Sequence, residues 1–219
     1  MPTMTQPRIL LTGFDPFGGD TLNPSWQVAQ ALHGEHLGGA VVQALCLPCV
    51  FGAALDAMRA ALRLHRPVLV LALGVAPGRA DLTLERVAIN VDDARIPCNA
   101  GLQPIDEPVV PGGPVAYFSG LPIKAMVAAL LDAGLPASVS QTAGTFVCNH
   151  VFYGLMHTLR RRPRTRGGFM HLPLLPEQAA AHANAPSLAL HEQVRGVRLA
   201  LATALATARD VRAGGGAVA

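Results

Sequence analysis

Pro67-Val-Leu-Val-Leu-Ala-Leu73 is an unbroken apolar run behind a proline, with no polar residue on either of its faces. Side chains alternate across a strand, so a run without alternation belongs to a strand buried on both sides. Such strands are characteristic of parallel sheets. Upstream, Phe51–His65 has the period of an amphipathic helix, and Ala40–Leu47 and Arg8–Thr12 read as strands. Asn23-Pro-Ser opens a helix that continues to Leu32, with a side-chain acceptor followed by proline. Downstream, Leu82–Asn90 reads as a strand and Leu121–Gly134 as a helix closed by glycine. Ala137–Gln141 and Gly168–His171 are short strands, Asn149–Arg160 is a helix, and a last long helix is expected over 185–211.

Strands and helices thus alternate along the chain, which predicts one α/β domain with a mostly parallel sheet over residues 1–219. The ends, 1–7 and 213–219, read as frayed tails. No internal repeat or linker interrupts the pattern. Asp92–Gly120 is rich in Pro and Gly and has no clear periodicity. A loop of that length in a compact domain usually serves function or contact.

Composition excludes several classes. Half of the 219 residues are apolar and 14% are charged, which no disordered chain shows. No apolar run reaches the roughly 18 residues that span a bilayer. The start, Met-Pro-Thr-Met-Thr-Gln-Pro-Arg8, has no apolar core of a signal peptide, so a cytoplasmic protein without membrane attachment is expected. A net charge of +3 is too small to argue for nucleic acid. The arginines at 160, 161, 162, 164 and 166 read as a solvated helix end and loop, without the interleaved aromatics that stack bases. Four cysteines, at 46, 49, 98 and 148, are too few for a disulfide scaffold at this length.

Chemistry concentrates in Ser140-Gln-Thr-Ala-Gly-Thr-Phe-Val-Cys-Asn149. Small residues lead into an apolar stretch holding Cys148, near the first turn of a helix. Unpaired N–H groups and the helix dipole make a positive field there, which favours a nucleophilic thiolate. His171 ends a strand just before Pro173, and Glu85 is a lone carboxylate among apolar residues. Cysteine, histidine and an orienting carboxylate are the parts of a thiol hydrolase. Other readings stay open. Gly13-Phe-Asp-Pro-Phe-Gly-Gly-Asp20 imitates a phosphate loop, but it lacks the lysine and carries Asp20. It instead presents Phe14 and Phe17, either as core plugs or as an apolar wall for a small ligand. Cys46-Leu-Pro-Cys49 precedes a helix, as a thiol–disulfide pair would. As a lone pair it makes a poor zinc site. His150 and His157 read as satisfied packing residues. An inactive binding module on the same fold is the remaining alternative.

Three blocks in order resemble pyroglutamyl peptidase I, the pyrrolidone-carboxylate peptidase family of cysteine peptidases. They are Leu11-Thr-Gly-Phe-Asp-Pro-Phe-Gly-Gly19 with Asn23-Pro-Ser-Trp26; Gly74-Val-Ala-Pro-Gly-Arg79 with Leu82 to Pro97; and Ser140 to Asn149 with Gly168-Phe-Met-His-Leu-Pro173. The resemblance runs from about residue 8 to 210. It implies a single three-layer α/β/α domain and removal of N-terminal pyroglutamate from peptides, with no metal or organic cofactor. By motif position it implies Cys148 as nucleophile, His171 as base and Glu85 as third member of the triad. Phe14, Phe17, Phe146 and Val147 match positions enclosing the lactam ring, with Arg95 near the reacting carbonyl. Cys49 falls at the pocket edge, where a small hydroxyl residue is usual. Val75 stands in place of a common glutamine, Cys98 in place of an acidic residue, and Gly120 in place of a larger one. A homo-oligomer, tetramer or dimer, is also implied.

Overall fold

The computed structural model describes residues 6–181 and 185–216. Seven strands form one sheet: β1 (Arg8–Phe14), β2 (His36–Leu37), β3 (Ala40–Leu47), β4 (Leu69–Val75), β5 (Leu82–Glu85), β8 (Ala137–Ser140) and β9 (Arg166–Leu172). Their order is β2-β3-β1-β4-β9-β5-β8. The pairs β3/β1, β1/β4, β4/β9 and β5/β8 are parallel, whereas β2/β3 and β5/β9 are antiparallel. β6 (Val87–Ile89) and β7 (Ala116–Phe118) make a separate antiparallel ribbon.

β4 is buried along its whole length, as its composition requires. Leu69, Leu71 and Leu73 face one helical layer, where α1 (Pro24–Ala31), α3 (Ile123–Asp132) and α6 (Leu190–Ala206) pack. Val70 and Ala72 face the other, built from α2 (Ala53–His65) and α4 (Val147–Leu159). The three layers follow from the two apolar faces of the sheet, each covered by helices carrying one apolar stripe. In α2 that stripe is Ala54, Leu55, Met58, Ala61 and Leu62, all buried. The Asn23 carboxamide caps α1 by accepting from the Ser25 N–H at 3.1 Å. α3 is closed by Gly134, whose positive φ of 76° lets the chain reverse. A short helix, α5 (Pro176–Ala179), follows β9. Among the described residues no helix is long and apolar enough to cross a membrane.

Three expectations are corrected. Leu82–Asn90 is two strands rather than one: β5 lies in the main sheet, and β6 leaves it to pair with β7. The Asn149 carboxamide holds β6 away from the main sheet. It accepts from the Ile89 N–H (3.0 Å) and donates to the carbonyls of Ile89 and Val91 (2.9 Å each). The middle segment is not wholly irregular, since it supplies β7. The last helix begins at Leu190 rather than 185, and Ser187 bridges to Leu174. It ends at Ala206, where the Arg166 guanidinium takes the carbonyls of Ala204 and Thr207 (2.6 Å each). Beyond it the Gly215 carbonyl accepts from Arg86 at 2.6 Å. Residues 1–5 and 217–219 of the expected tails lie outside the described residues.

Candidate active site

The site forms on the α2/α4 side of the sheet, where β4, β9 and β5 lie side by side. In the register Gly74 is opposite His171, and His171 is opposite Thr83. Glu85, two residues on from Thr83, shares its face and reaches His171 diagonally. Its Oε1 lies 2.7 Å from His171 Nδ1. Both side chains are buried, Glu85 completely. The same oxygen accepts from Arg79 Nη1 at 2.6 Å. Arg79 also donates to Thr83 Oγ1 at 2.6 Å and to the Thr142 carbonyl at 3.0 Å.

Cys148 stands at the second position of α4, whose N-cap residue, Phe146, has extended backbone and no capping side-chain hydrogen bond. The residue is half-buried. A Cβ built on Gly74 would come within 2.9 Å of the Cys148 Sγ and 2.9 Å of the Phe169 ring. The sulfur therefore rests over Gly74, the register partner of His171. Only a residue without a side chain leaves that space.

Electrostatics modify the expectation of a ready thiolate. Burial pushes the Cys148 thiol up, nearby Cys49 and Glu85 add to the rise, and Arg79 opposes it. Burial also pushes His171 below its ordinary 6.5, against the stabilising hydrogen bond that it donates to Glu85. Burial raises Glu85, but the hydrogen bond and charge of His171, together with Arg79, outweigh it and leave the carboxyl below 4.5. An ionised Glu85 can only accept, so Nδ1 of His171 carries the proton and Nε2 keeps its lone pair. Both shifts favour the uncharged forms of thiol and imidazole, and the carboxylate sets the imidazole tautomer.

A cavity of about 180 Å³ opens nearby, lined by Phe17, Asp93, Arg95, Ile96, Thr145 and Phe146. The Phe17 and Phe146 rings are 6.1 Å apart. Phe14, Cys49 and Val147 are buried in the apolar cluster against which Phe17, Phe146 and Cys148 pack. The structure thus brings Phe17, Arg95 and Phe146 to one cavity and puts Phe14, Cys49 and Val147 in the adjoining core. Larger surface depressions at the opposite ends of α2 and α4 are lined by Arg63, Arg66, Arg162 and Arg164 and hold none of these residues.

The thiol–disulfide reading of Cys46 and Cys49 meets an obstacle. Burial and the Asp15 charge raise both thiols, Cys49 to about 12. Redox pairs need the opposite shift. His150 and His157 are both partnered, to Asp92 (2.7 Å) and to the Tyr117 hydroxyl (3.0 Å). Sequence reasoning missed Arg79, Phe51 and the His150–Asp92 contact. Arg79 had one available signal: it is the cation nearest in sequence before a lone buried-type carboxylate.

The sequence model of the pyroglutamyl peptidase family matches residues 7–207. The pyrrolidone-carboxylate peptidase of Cupriavidus taiwanensis is 62% identical over 212 residues, covering 96% of this chain and 98% of its own. That of Erwinia tasmaniensis is 57% identical over 210 residues, covering 96% and 98%. The crystal structure of pyroglutamyl peptidase I from Bacillus amyloliquefaciens superposes with a TM-score of 0.93 at 46% identity, covering 96% of this chain and all of the other. The pyrrolidone carboxyl peptidase of Thermococcus litoralis gives 0.92 at 34%, covering 95% and 99%. With a family model, relatives and a fold that match over nearly its whole length, the chain belongs to the pyroglutamyl peptidase family.

Proposed function

We propose that the chain hydrolyses the bond after an N-terminal pyroglutamyl residue of peptides, with Cys148 as nucleophile, His171 as general base and acid, and Glu85 holding the imidazole. The observation that carries this reading is the 2.7 Å Glu85–His171 contact, with Cys148 Sγ over the glycine that pairs with His171. His171 Nε2 accepts the thiol proton as sulfur attacks the pyroglutamyl carbonyl carbon. Backbone N–H groups at the start of α4, with Arg95, steady the oxyanion. The loss of one such donor typically costs about 100- to 1000-fold. The proton then passes from His171 to the leaving amine, and a thioester remains. Water, deprotonated by His171, cleaves it to free 5-oxoproline and the thiol.

The cavity between Phe17 and Phe146 is the slot for the lactam ring. Its 180 Å³ is about six times the share of one water molecule, which suits a five-membered ring. A pyroglutamyl ring is neutral, whereas a prolyl N-terminus carries an ammonium and lacks the ring carbonyl. An unpaired buried group costs about 1–3 kcal/mol, and an unpaired charge more, so discrimination of about 1000-fold is expected.

One assay tests the reading: release of a chromophore from matched pyroglutamyl and prolyl amides by the wild type, by Cys148→Ser and by Cys46→Ala/Cys49→Ala. Turnover of the pyroglutamyl amide alone is expected, lost by more than about 1000-fold in Cys148→Ser and held within about tenfold in the double variant. A collapse in the double variant with Cys148 dispensable would favour thiol–disulfide chemistry. Self-association is part of the proposal, supported by the exposed apolar residues Leu102, Ile105, Val115 and Phe118 of the middle segment. Light scattering of the purified chain tests it.

A further inference from the structure

A second histidine–carboxylate pair is buried beside the site and has no part in the chemistry just described. His150, two residues after Cys148 on α4, is 6% exposed, and Asp92 is 5% exposed. His150 Nδ1 lies 2.7 Å from Asp92 Oδ2, and the Gly52 backbone N–H donates to His150 Nε2 over 3.0 Å. A backbone amide can only donate, so Nε2 is the bare nitrogen and Nδ1–H donates to Asp92. One imidazole therefore ties together α4, the segment after β6 and the start of α2.

These three segments carry the walls of the cavity. Phe51, the residue before Gly52, stands edge-on to the His150 ring (5.4 Å, 83°) and to the Phe146 ring (5.3 Å, 89°). Phe146 lines the cavity opposite Phe17. On the other side Asp93, Arg95 and Ile96, which also line it, follow directly from Asp92. That segment is clipped once more to the α4 side. The Asp93 N–H donates to the Thr145 carbonyl (3.0 Å), and the Thr145 hydroxyl donates to the Asp93 carbonyl (2.7 Å). The histidine is thus the deeper of two ties between α4 with the residues before it and the segment after β6, both of which contribute to the lining, and it also backs Phe51 against Phe146.

We propose that His150 and Asp92 are positioning residues that set the width of the slot, with Phe51 backing the wall residue Phe146, and so determine selectivity for a small neutral ring. The inference rests on reading this cavity as the lactam slot. Acting through the walls, the pair controls the fit of the bound ring more than the reactivity of the sulfur. Its loss should show in KM and selectivity before kcat.

The test compares wild type, His150→Phe, His150→Gln and Phe51→Leu. The readouts are steady-state kinetics on pyroglutamyl and prolyl amides and the rate of Cys148 alkylation by iodoacetamide. His150→Phe is expected to raise KM for the pyroglutamyl amide by about tenfold or more and to cut the pyroglutamyl-over-prolyl ratio by about tenfold. Alkylation, which needs no slot, should stay within about twofold. In His150→Gln the amide can donate to Asp92 and accept from Gly52, so most of the loss should be recovered. Phe51→Leu should repeat the KM and selectivity changes, and it decides the matter if His150→Phe does not fold. Unmoved KM and selectivity in the folded variants overturn the inference. So does a parallel fall of kcat and alkylation, which would make the pair part of the sulfur's own support. A wild type inert toward pyroglutamyl amides removes the slot reading and the inference with it. An active wild type with unmoved variants removes the inference alone.

Discussion

A thiol enclosed by protein, with Glu85 and Cys49 beside it, ionises with difficulty, and the imidazole next to it is held neutral by the same burial. On the proposed mechanism, proton transfer from Cys148 to His171 accompanies attack instead of preceding it. Two outcomes follow at this scale. Iodoacetamide should alkylate the free enzyme slowly at neutral pH, the rate still climbing above pH 9. A plateau already reached at pH 5–6 would reveal a preformed thiolate. Glu85→Gln should fold and lower kcat by at least about 100-fold, because a carboxamide holds the wrong tautomer as readily as the right one. Unchanged kinetics in that variant would make Glu85 a structural carboxylate. Arg79 belongs to the same chain of contacts, since it shares the Glu85 oxygen that His171 uses.

Between elements, close approach at glycine decides both function and stability. Gly74 of β4 is the place where α4 delivers its cysteine to the sheet. Gly74→Ala should abolish most turnover while the protein still folds, because the new methyl would compete with the sulfur and the Phe169 ring for one space. Kinetics within about twofold of wild type would mean that Cys148 has room to spare. Gly154, one face further along α4, lies against α2: a Cβ there would come within 2.3 Å of a Leu55 methyl. Gly154→Ala should therefore lower stability by about 1–3 kcal/mol through overpacking, read as a shifted urea midpoint, with kcat per folded molecule unchanged. An unshifted midpoint would show that Leu55 repacks freely.

For the molecule as a whole the shifted histidines and Glu85 act in one direction. His171 is pushed below 6.5 in the folded state, as are His65 and His157, each chiefly by burial. In the unfolded chain these histidines take up protons as pH falls through about 6.5, while the folded chain does not. Stability therefore drops from there downward. Glu85, held below 4.5, adds a further loss as pH falls from 4.5 through its folded value. Urea unfolding at one fixed protein concentration should show stability falling steadily from pH 7 to pH 5. A rise over that interval would contradict the direction of the three histidine shifts.

The alternating elements, the doubly buried β4 and the three candidates Cys148, His171 and Glu85 were legible in the residues, because apolar period and helix-start chemistry are local properties. Phe17 was legible as a core plug or an apolar wall from its glycine-framed loop, whereas Phe146 came from the motif resemblance. The split of Leu82–Asn90 was not legible. A strand keeps its two-residue alternation whether it stays in one sheet or moves to another, and the cause, Asn149, is about 60 residues away. His150 between Asp92 and Gly52 likewise joins partners across long stretches of chain, brought together only when α2, α4 and the segment after β6 pack. The state of the thiol was also beyond the sequence. A cysteine at a helix start sits in a positive field, but whether that field or enclosure by protein prevails depends on what surrounds the sulfur, and only the folded chain determines that.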